Sequence, residues 1–121
     1  MLTRIAQIAV NVHDLPRATR FYRDTLGLRL LFEVPTLAFF DCGGVRLMLG
    51  RAEKPELDHP GSILYYQVAD IKGAHAELSR KGVTFEDVPH VVAPLGTNDL
   101  WMTFCRDSEG NLLALTAELP R

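Results

Sequence analysis

One stretch constrains this chain more than any other. Val10 to Leu28 reads as the end of a strand, a capped helix and a glycine stop. Asp14 stands before a helical run, and its carboxylate can accept the free amide hydrogens of the first turn. Pro16 suits that turn because its missing N–H has no partner there to lose. Ala18, Phe21, Tyr22, Thr25 and Leu26 recur at helical spacing and predict a face turned to a sheet. Gly27 supplies the left-handed stop. A weaker copy starts at Val68-Ala69-Asp70-Ile71 and runs through a second helical pattern to Gly82. Two such copies in 121 residues predict a duplicated module.

The flanking segments extend the repeat. Ile5 to Val12 is rich in β-branched residues and reads as a strand. Arg29–Val34, Thr36–Cys42 and Val45–Leu49 follow as three more, with Gly43-Gly44 as a hairpin signal. In the second copy, Ile63–Val68 precedes a helix on which Ile71, Ala74, His75 and Leu78 share a face. Val83–Val88 and Val91–Ala93 are short strand candidates, and Pro94 to Asp99 reads as a loop. Leu100–Arg106 and Leu112–Glu118 are strands joined by a turn at Asp107-Ser108-Glu109-Gly110-Asn111. The order is β-α-β-β-β, twice. It predicts one α+β domain over 1–121, with module one at about 3–50, a linker at about 51–61 and module two at about 62–119. Each unit has a helix for one sheet face only, so paired units can curve their open faces around a shared cavity.

Composition narrows the partners. Net charge is −2 and no run of Lys or Arg exists, which argues against nucleic acid. No apolar run approaches membrane-spanning length. The two cysteines, Cys42 and Cys105, with no export signal in view, predict reduced thiols and a cytoplasmic location.

Read together, Val12-His13-Asp14-Leu15, Phe21-Tyr22, Leu26-Gly27-Leu28, Val68-Ala69-Asp70-Ile71, Gly82-Val83 and Arg106-Asp107-Ser108-Glu109-Gly110-Asn111 resemble the vicinal oxygen chelate superfamily. That group holds glyoxalases, extradiol dioxygenases and bleomycin-type resistance proteins. The resemblance spans essentially the whole chain and implies curved mixed sheets in a glyoxalase-like fold. It says little about the reaction, because one fold hosts many sites.

The resemblance also implies four metal-ligand positions, one in the first and one in the last strand of each unit. They fall on Gln7, Leu47, Ile63 and Ala114, the second pair matching once an insertion of about a dozen residues is allowed at 86–99. Only Gln7 carries a donor, and a catalytic divalent ion generally wants three protein ligands. The expectation is no metal and no other cofactor. The ligand pocket expected instead is lined by Gln7, Phe39, Leu47, Ile63, Tyr65, Gln67, Trp101, Thr103 and Ala114, by strand alternation. Tyr65 and Trp101 offer flat faces to an aromatic ligand. Trp101 can equally belong to a dimer interface. His90, beside Pro89 in the insertion, is the one histidine with a catalytic reading, since imidazole titrates near neutrality; a plain surface role is the simpler one.

Three functions follow. The first is a small-molecule-binding protein of the resistance or sequestration kind, without metal. The second is a lyase, isomerase or dioxygenase on the same fold, using a displaced metal site or acid–base groups such as His90 with Gln7. The third is a structural or partner-binding module. By resemblance, the chain is expected to form a homodimer.

Overall fold

The computed structural model describes every residue from Met1 to Arg121. Contacts divide the chain into two units, Met1–Gly61 and Ser62–Arg121. Both are built as a strand, a helix and three strands, so the architecture is α+β with two four-stranded mixed sheets.

The first unit contains β1 (Gln7–Asn11), α1 (Leu15–Arg20), β2 (Arg29–Val34), β3 (Leu37–Cys42) and β4 (Val45–Gly50). Its sheet order is β1-β4-β3-β2, with β1 and β4 parallel and the other pairs antiparallel. Asp14 caps α1, accepting from the Arg17 amide at 3.1 Å. The single helix expected through Leu26 instead widens after Arg20 into a π turn, Phe21–Thr25. Leu26 N donates to Phe21 O at 3.0 Å, five residues back. Tyr22 in that turn is buried, its ring centroid 6.2 Å from that of Phe40. Gly43 and Gly44, at φ +60° and +90°, close the β3–β4 hairpin in the doubly left-handed turn that matches strand twist.

Phe40 is opposite Leu47 and Ala38 is opposite Leu49. All four are buried on the face that α1 covers, with Ala18 and Tyr22 of the helical segment. The linker is tied back to the end of β1. Asn11 Nδ2 donates to Leu57 O at 2.7 Å, and His13 Nε2 is 2.8 Å from Asp58 Oδ2.

The second unit contains β5 (Leu64–Gln67), α2 (Ile71–Arg80), β6 (His90–Leu95), β7 (Asn98–Arg106) and β8 (Leu112–Pro120). Its order, β5-β8-β7-β6, repeats the first, again with the outer pair β5 and β8 parallel. Asp70 caps α2 by accepting from Gly73 N at 3.0 Å. Ile71, Leu115 and Ala117 form the core under α2, with Leu78, Phe85 and Trp101 packed around them. Asp107 organises the last turn: Oδ1 accepts from Glu109 N and Asn111 N, and Oδ2 from Asn111 Nδ2.

Two expected elements differ. Val83–Val88 forms no strand of its own; only Phe85 bridges Cys105, flanked by Glu86 N to Phe104 O and Arg106 N to Thr84 O. The expected loop at 94–99 is mostly strand. β6 continues through Pro94 and Leu95, and β7 starts at Asn98 after a turn at Gly96, φ +63°. Proline is tolerated there because β6 is the sheet edge, where no ladder amide is needed on its outer side. No helix is long and apolar enough to cross a membrane.

Candidate functional site

In each unit the sheet face away from the helix carries the polar and aromatic side chains that β pairing brings together. In the first unit, register aligns Gln7, Arg46, Asp41 and Arg29 in one row across the sheet. Ala9, Met48, Phe39 and Phe32 form the next row. Arg46 Nε donates to Gln7 Oε1 at 2.6 Å, and Gln7 Nε2 points to Met48 Sδ at 3.7 Å. The Arg46 guanidinium carbon is 5.9 Å from the Phe39 ring centroid. Phe39 stacks on Phe32 at 4.4 Å between centroids and 19° between planes, and Phe32 is half exposed. Asp41, opposite Arg46 in register, pairs with Arg29 at 3.8 Å.

Leu47 was expected on this face and lies on the other one. The parallel register sets Arg46 beside Gln7 and Leu47 beside Ile8, so Leu47 shares the helix side with Phe40. Arg46 was missed. A lone charge in the otherwise apolar run Val45-Arg46-Leu47-Met48-Leu49 was the signal that could have found it.

In the second unit, His90, Met102, Thr116 and Gln67 form a row across all four strands. Phe104, Ala114 and Tyr65 form the next. The Tyr65 and Phe104 rings meet edge-on at 5.8 Å, with Ala114 between them in the register. Ile63 lies just before β5 and is partly exposed. His90 Nδ1 is 2.8 Å from Val88 O. A carbonyl oxygen only accepts, so Nδ1 is the donor in this contact.

Trp101 and Thr103 were expected on this face and instead turn to the helix side. Trp101 is opposite Ala117 and Thr103 is opposite Leu115, both core residues under α2. Lys72 Nζ lies 5.0 Å from the Trp101 ring centroid, and Thr103 Oγ1 donates to Asp87 Oδ1 at 2.7 Å. Met102 and Phe104 take the places expected for them. The run Leu100-Trp101-Met102-Thr103-Phe104-Cys105 is apolar in both parities, so alternation alone could not choose.

The internal repeat also revises one metal-ligand position. Tyr65 pairs with Ala114, and its counterpart Ala9 pairs with Met48, so Met48 rather than Leu47 matches Ala114. Leu47 corresponds to Leu113, and both are buried. The four positions therefore hold Gln7, Met48, Ile63 and Ala114. Gln7 already gives its oxygen to Arg46, Met48 offers a soft thioether, and the other two offer nothing. No three or more His, Cys, Asp or Glu side chains converge elsewhere. These residues do not fit a divalent ion held in the manner the superfamily implies.

Neither thiol is poised for nucleophilic work. Cys105 is fully buried, and burial, with Asp107 and Asp87 adding to it, pushes its pKa up to about 12. Burial first and Asp41 second raise Cys42 as well. Both therefore stay protonated at neutral pH. His75 packs on Phe85 with ring centroids 4.2 Å apart, and its Nε2 lies 3.2 Å from Asp87 O, a structural contact.

Two β-α-β-β-β units with donor-poor ligand positions define a class: a protein on the metal-chelating fold whose helix-free sheet faces are aromatic and polar, with charge gathered in one row of the first sheet. The chain belongs to the Glyoxalase/Bleomycin resistance protein/Dioxygenase superfamily, whose sequence model matches residues 4–115. It is 26% identical over 115 residues to the metallothiol transferase FosB of Staphylococcus haemolyticus, covering 93% of this chain and 66% of that protein. The chain thus spans just under two thirds of the length of that relative. It is 30% identical over 101 residues to the uncharacterized protein YraH of Bacillus subtilis strain 168, covering 72% of this chain and 79% of YraH. A superfamily member from Sphaerobacter thermophilus DSM 20745 shares the fold, with a TM-score of 0.81, 24% identity and coverage of 97% and 98%.

Proposed function

We propose that this chain binds a small organic molecule on the helix-free faces of its sheets, and does so without the divalent metal its superfamily implies. The observation that carries the reading is the state of Gln7. The only family ligand position with an oxygen donor has that oxygen committed to Arg46 at 2.6 Å. Phe32, Phe39, Tyr65 and Phe104 supply flat apolar surface for an aromatic or amphiphilic ligand. The name of the staphylococcal relative includes a metal; the same role here would need donors that Met48, Ile63 and Ala114 lack. Elemental analysis of purified, dialysed protein tests this. Substoichiometric zinc, nickel, manganese and iron is expected, and one tightly held equivalent of any of them would sink the metal-free reading.

A second reading keeps catalysis, as a lyase, isomerase or dioxygenase. The observation in its favour is His90, exposed on the helix-free face with its ring held through Nδ1 by the Val88 carbonyl. Turnover of any substrate that His90→Gln abolishes while the protein stays folded would support it, and turnover unchanged in His90→Gln would contradict it.

The assembly proposed is a homodimer. Leu31 and Val34 on edge strand β2, and Val91, Val92 and Leu95 on edge strand β6, leave apolar edges exposed. Sedimentation equilibrium giving a monomer at tens of micromolar would contradict it. Two free thiols fit a reducing compartment.

A further inference from the structure

The side chain that most changes the face of the first sheet is Arg46. It comes from the middle of an apolar strand, and its guanidinium is held in one place. Nε is fixed to Gln7 Oε1 at 2.6 Å, and Gln7 is itself braced against Met48 Sδ at 3.7 Å. Gln7 and Met48 are the two family ligand positions of this unit, so a fixed positive charge stands where the superfamily implies a cation. The nearest acid across the strands, Asp41, is occupied by Arg29 at 3.8 Å. That pair cancels, and the row Gln7-Arg46-Asp41-Arg29 is left with one net positive charge. The two terminal nitrogens of Arg46 carry the remaining donors of a planar fork, the arrangement that matches a carboxylate. Below it, the stacked Phe39 and Phe32 rings form a floor with centroids 4.4 Å apart.

We infer that Arg46 replaces the metal as the anchor for the ligand's oxygen atoms, and that the ligand is a flat aromatic or conjugated molecule bearing one carboxylate. The inference rests on the small-molecule reading above and names its ligand class. Carboxylates and phosphates share the oxyanion chemistry that Arg46 recognises. One guanidinium neutralises a carboxylate monoanion, whereas a phosphate dianion brings a second charge that must give up hydration without a partner. The aromatic floor requires the anion to be attached to a flat group.

Three methionines make the test local. Met48 lies on this face, Met102 on the corresponding face of the second unit, and Met1 at the chain end. The protein, labelled at its methionine methyl groups, is titrated with benzoate, benzamide, phenyl phosphate and inorganic phosphate. Benzoate is expected to shift Met48 saturably, with affinity about tenfold or more above benzamide and with an advantage that shrinks as salt is raised. Phenyl phosphate should bind more weakly than benzoate, and inorganic phosphate should leave Met48 unmoved. Arg46→Gln should erase the benzoate preference while benzamide still binds. Phe39→Leu should weaken benzoate and benzamide alike. Benzamide binding as tightly as benzoate to the unaltered protein, or a preference that survives Arg46→Gln, overturns the role of Arg46 and leaves the binding reading intact. So does a shift confined to Met102. Inorganic phosphate moving Met48 as strongly as benzoate overturns the aromatic requirement. If no aromatic probe moves Met48 or Met102, the binding reading itself falls.

Discussion

Arg46 and Gln7, 39 positions apart in the sequence, are cross-strand neighbours joined by a 2.6 Å hydrogen bond from Nε to Oε1. The bond decides what Gln7 is available to do. An amide oxygen already accepting from a guanidinium is a poor candidate for a metal, and a guanidinium held by an amide is a positioned one. Replacing Gln7 with Ala should free Arg46 with little cost in stability, below about 1 kcal/mol because both side chains are exposed. The Nε–H proton of Arg46 should exchange faster with solvent and its nitrogen relax as a mobile group. An unchanged Arg46 Nε signal in Gln7→Ala would show that the pairing does not hold it.

The parity of β7 makes a paired prediction. Trp101 packs in the α2 core, whereas Tyr65 is about half exposed on the opposite face at 49%. Trp101→Ala should cost about 3 kcal/mol, the range for removing a large ring from a packed site. Tyr65→Ala should cost about 1 kcal/mol, the worth of its edge-on contact with Phe104. Urea unfolding of the two variants measures the difference. Equal losses would argue that the assignment of faces in the second unit is wrong.

Gly73 and Asp70 form a coupled pair. A glycine within a helix changed to alanine gains up to about 1 kcal/mol, and Gly73 is the third residue of α2. Here a Cβ on residue 73 would collide with the Asp70 carboxylate that accepts from Gly73 N. That carboxylate can swing away, but the cap bond, worth about 1 kcal/mol, goes with it. Gly73→Ala alone should therefore be close to neutral. In an Asp70→Ala background, where the cap is already gone, it should stabilise by about 1 kcal/mol. Thermal or urea unfolding of the four proteins in this cycle gives the coupling directly.

Cys105 predicts a loss of stability at high pH. Its thiol keeps its proton in the folded chain to about pH 12, while in the unfolded chain it ionises near the ordinary thiol value. Between those two values the folded state binds more protons than the unfolded state. Stability is thus full below the ordinary thiol pKa and falls as pH rises, by up to about 1.4 kcal/mol per pH unit from this group. Cys105→Ala should show a shallower alkaline decline than the unaltered chain when both are unfolded in urea from pH 8 to 11. Parallel curves would mean the thiol does not titrate as its burial implies. At neutral pH Cys105 should also resist alkylation until the protein unfolds.

Much of the fold is written locally. Asp14 and Asp70, seven residues after Gln7 and Ile63 in turn, mark both helix starts, and Gly27 and Gly82 both take positive φ at the stops. These signals are short-range, because a cap or a left-handed turn needs only its own few residues. The candidate site was legible only in part. Gln7, Phe39, Tyr65, Gln67 and Ala114 lie on the helix-free faces, but Leu47, Trp101 and Thr103 do not. Trp101 and Thr103 fall in a strand that is largely apolar in both parities, where a shift of one residue leaves the hydrophobic pattern unchanged, and Leu47 falls in a strand where only Arg46 marks the other face. What fixed the parity was pairing with distant partners: Gln7 with Arg46, and Leu115 with Thr103. Irregularities between Leu30 and Phe32 and between Val91 and Ala93 break simple alternation at both sheet edges, and no sequence signal announced them. The π turn at Phe21–Thr25 was likewise hidden, since its apolar spacing reads as ordinary helix.

The central claim is that side chains, not a bound divalent ion, hold the ligand's oxygen atoms. Its most direct test is a benzoate titration of chelator-treated protein, followed at the Met48 methyl group. Recognition by Arg46 over Phe39 predicts one saturable curve, the same after chelator and after adding back zinc, manganese or nickel. A curve lost with chelator and restored by one of those metals would contradict it.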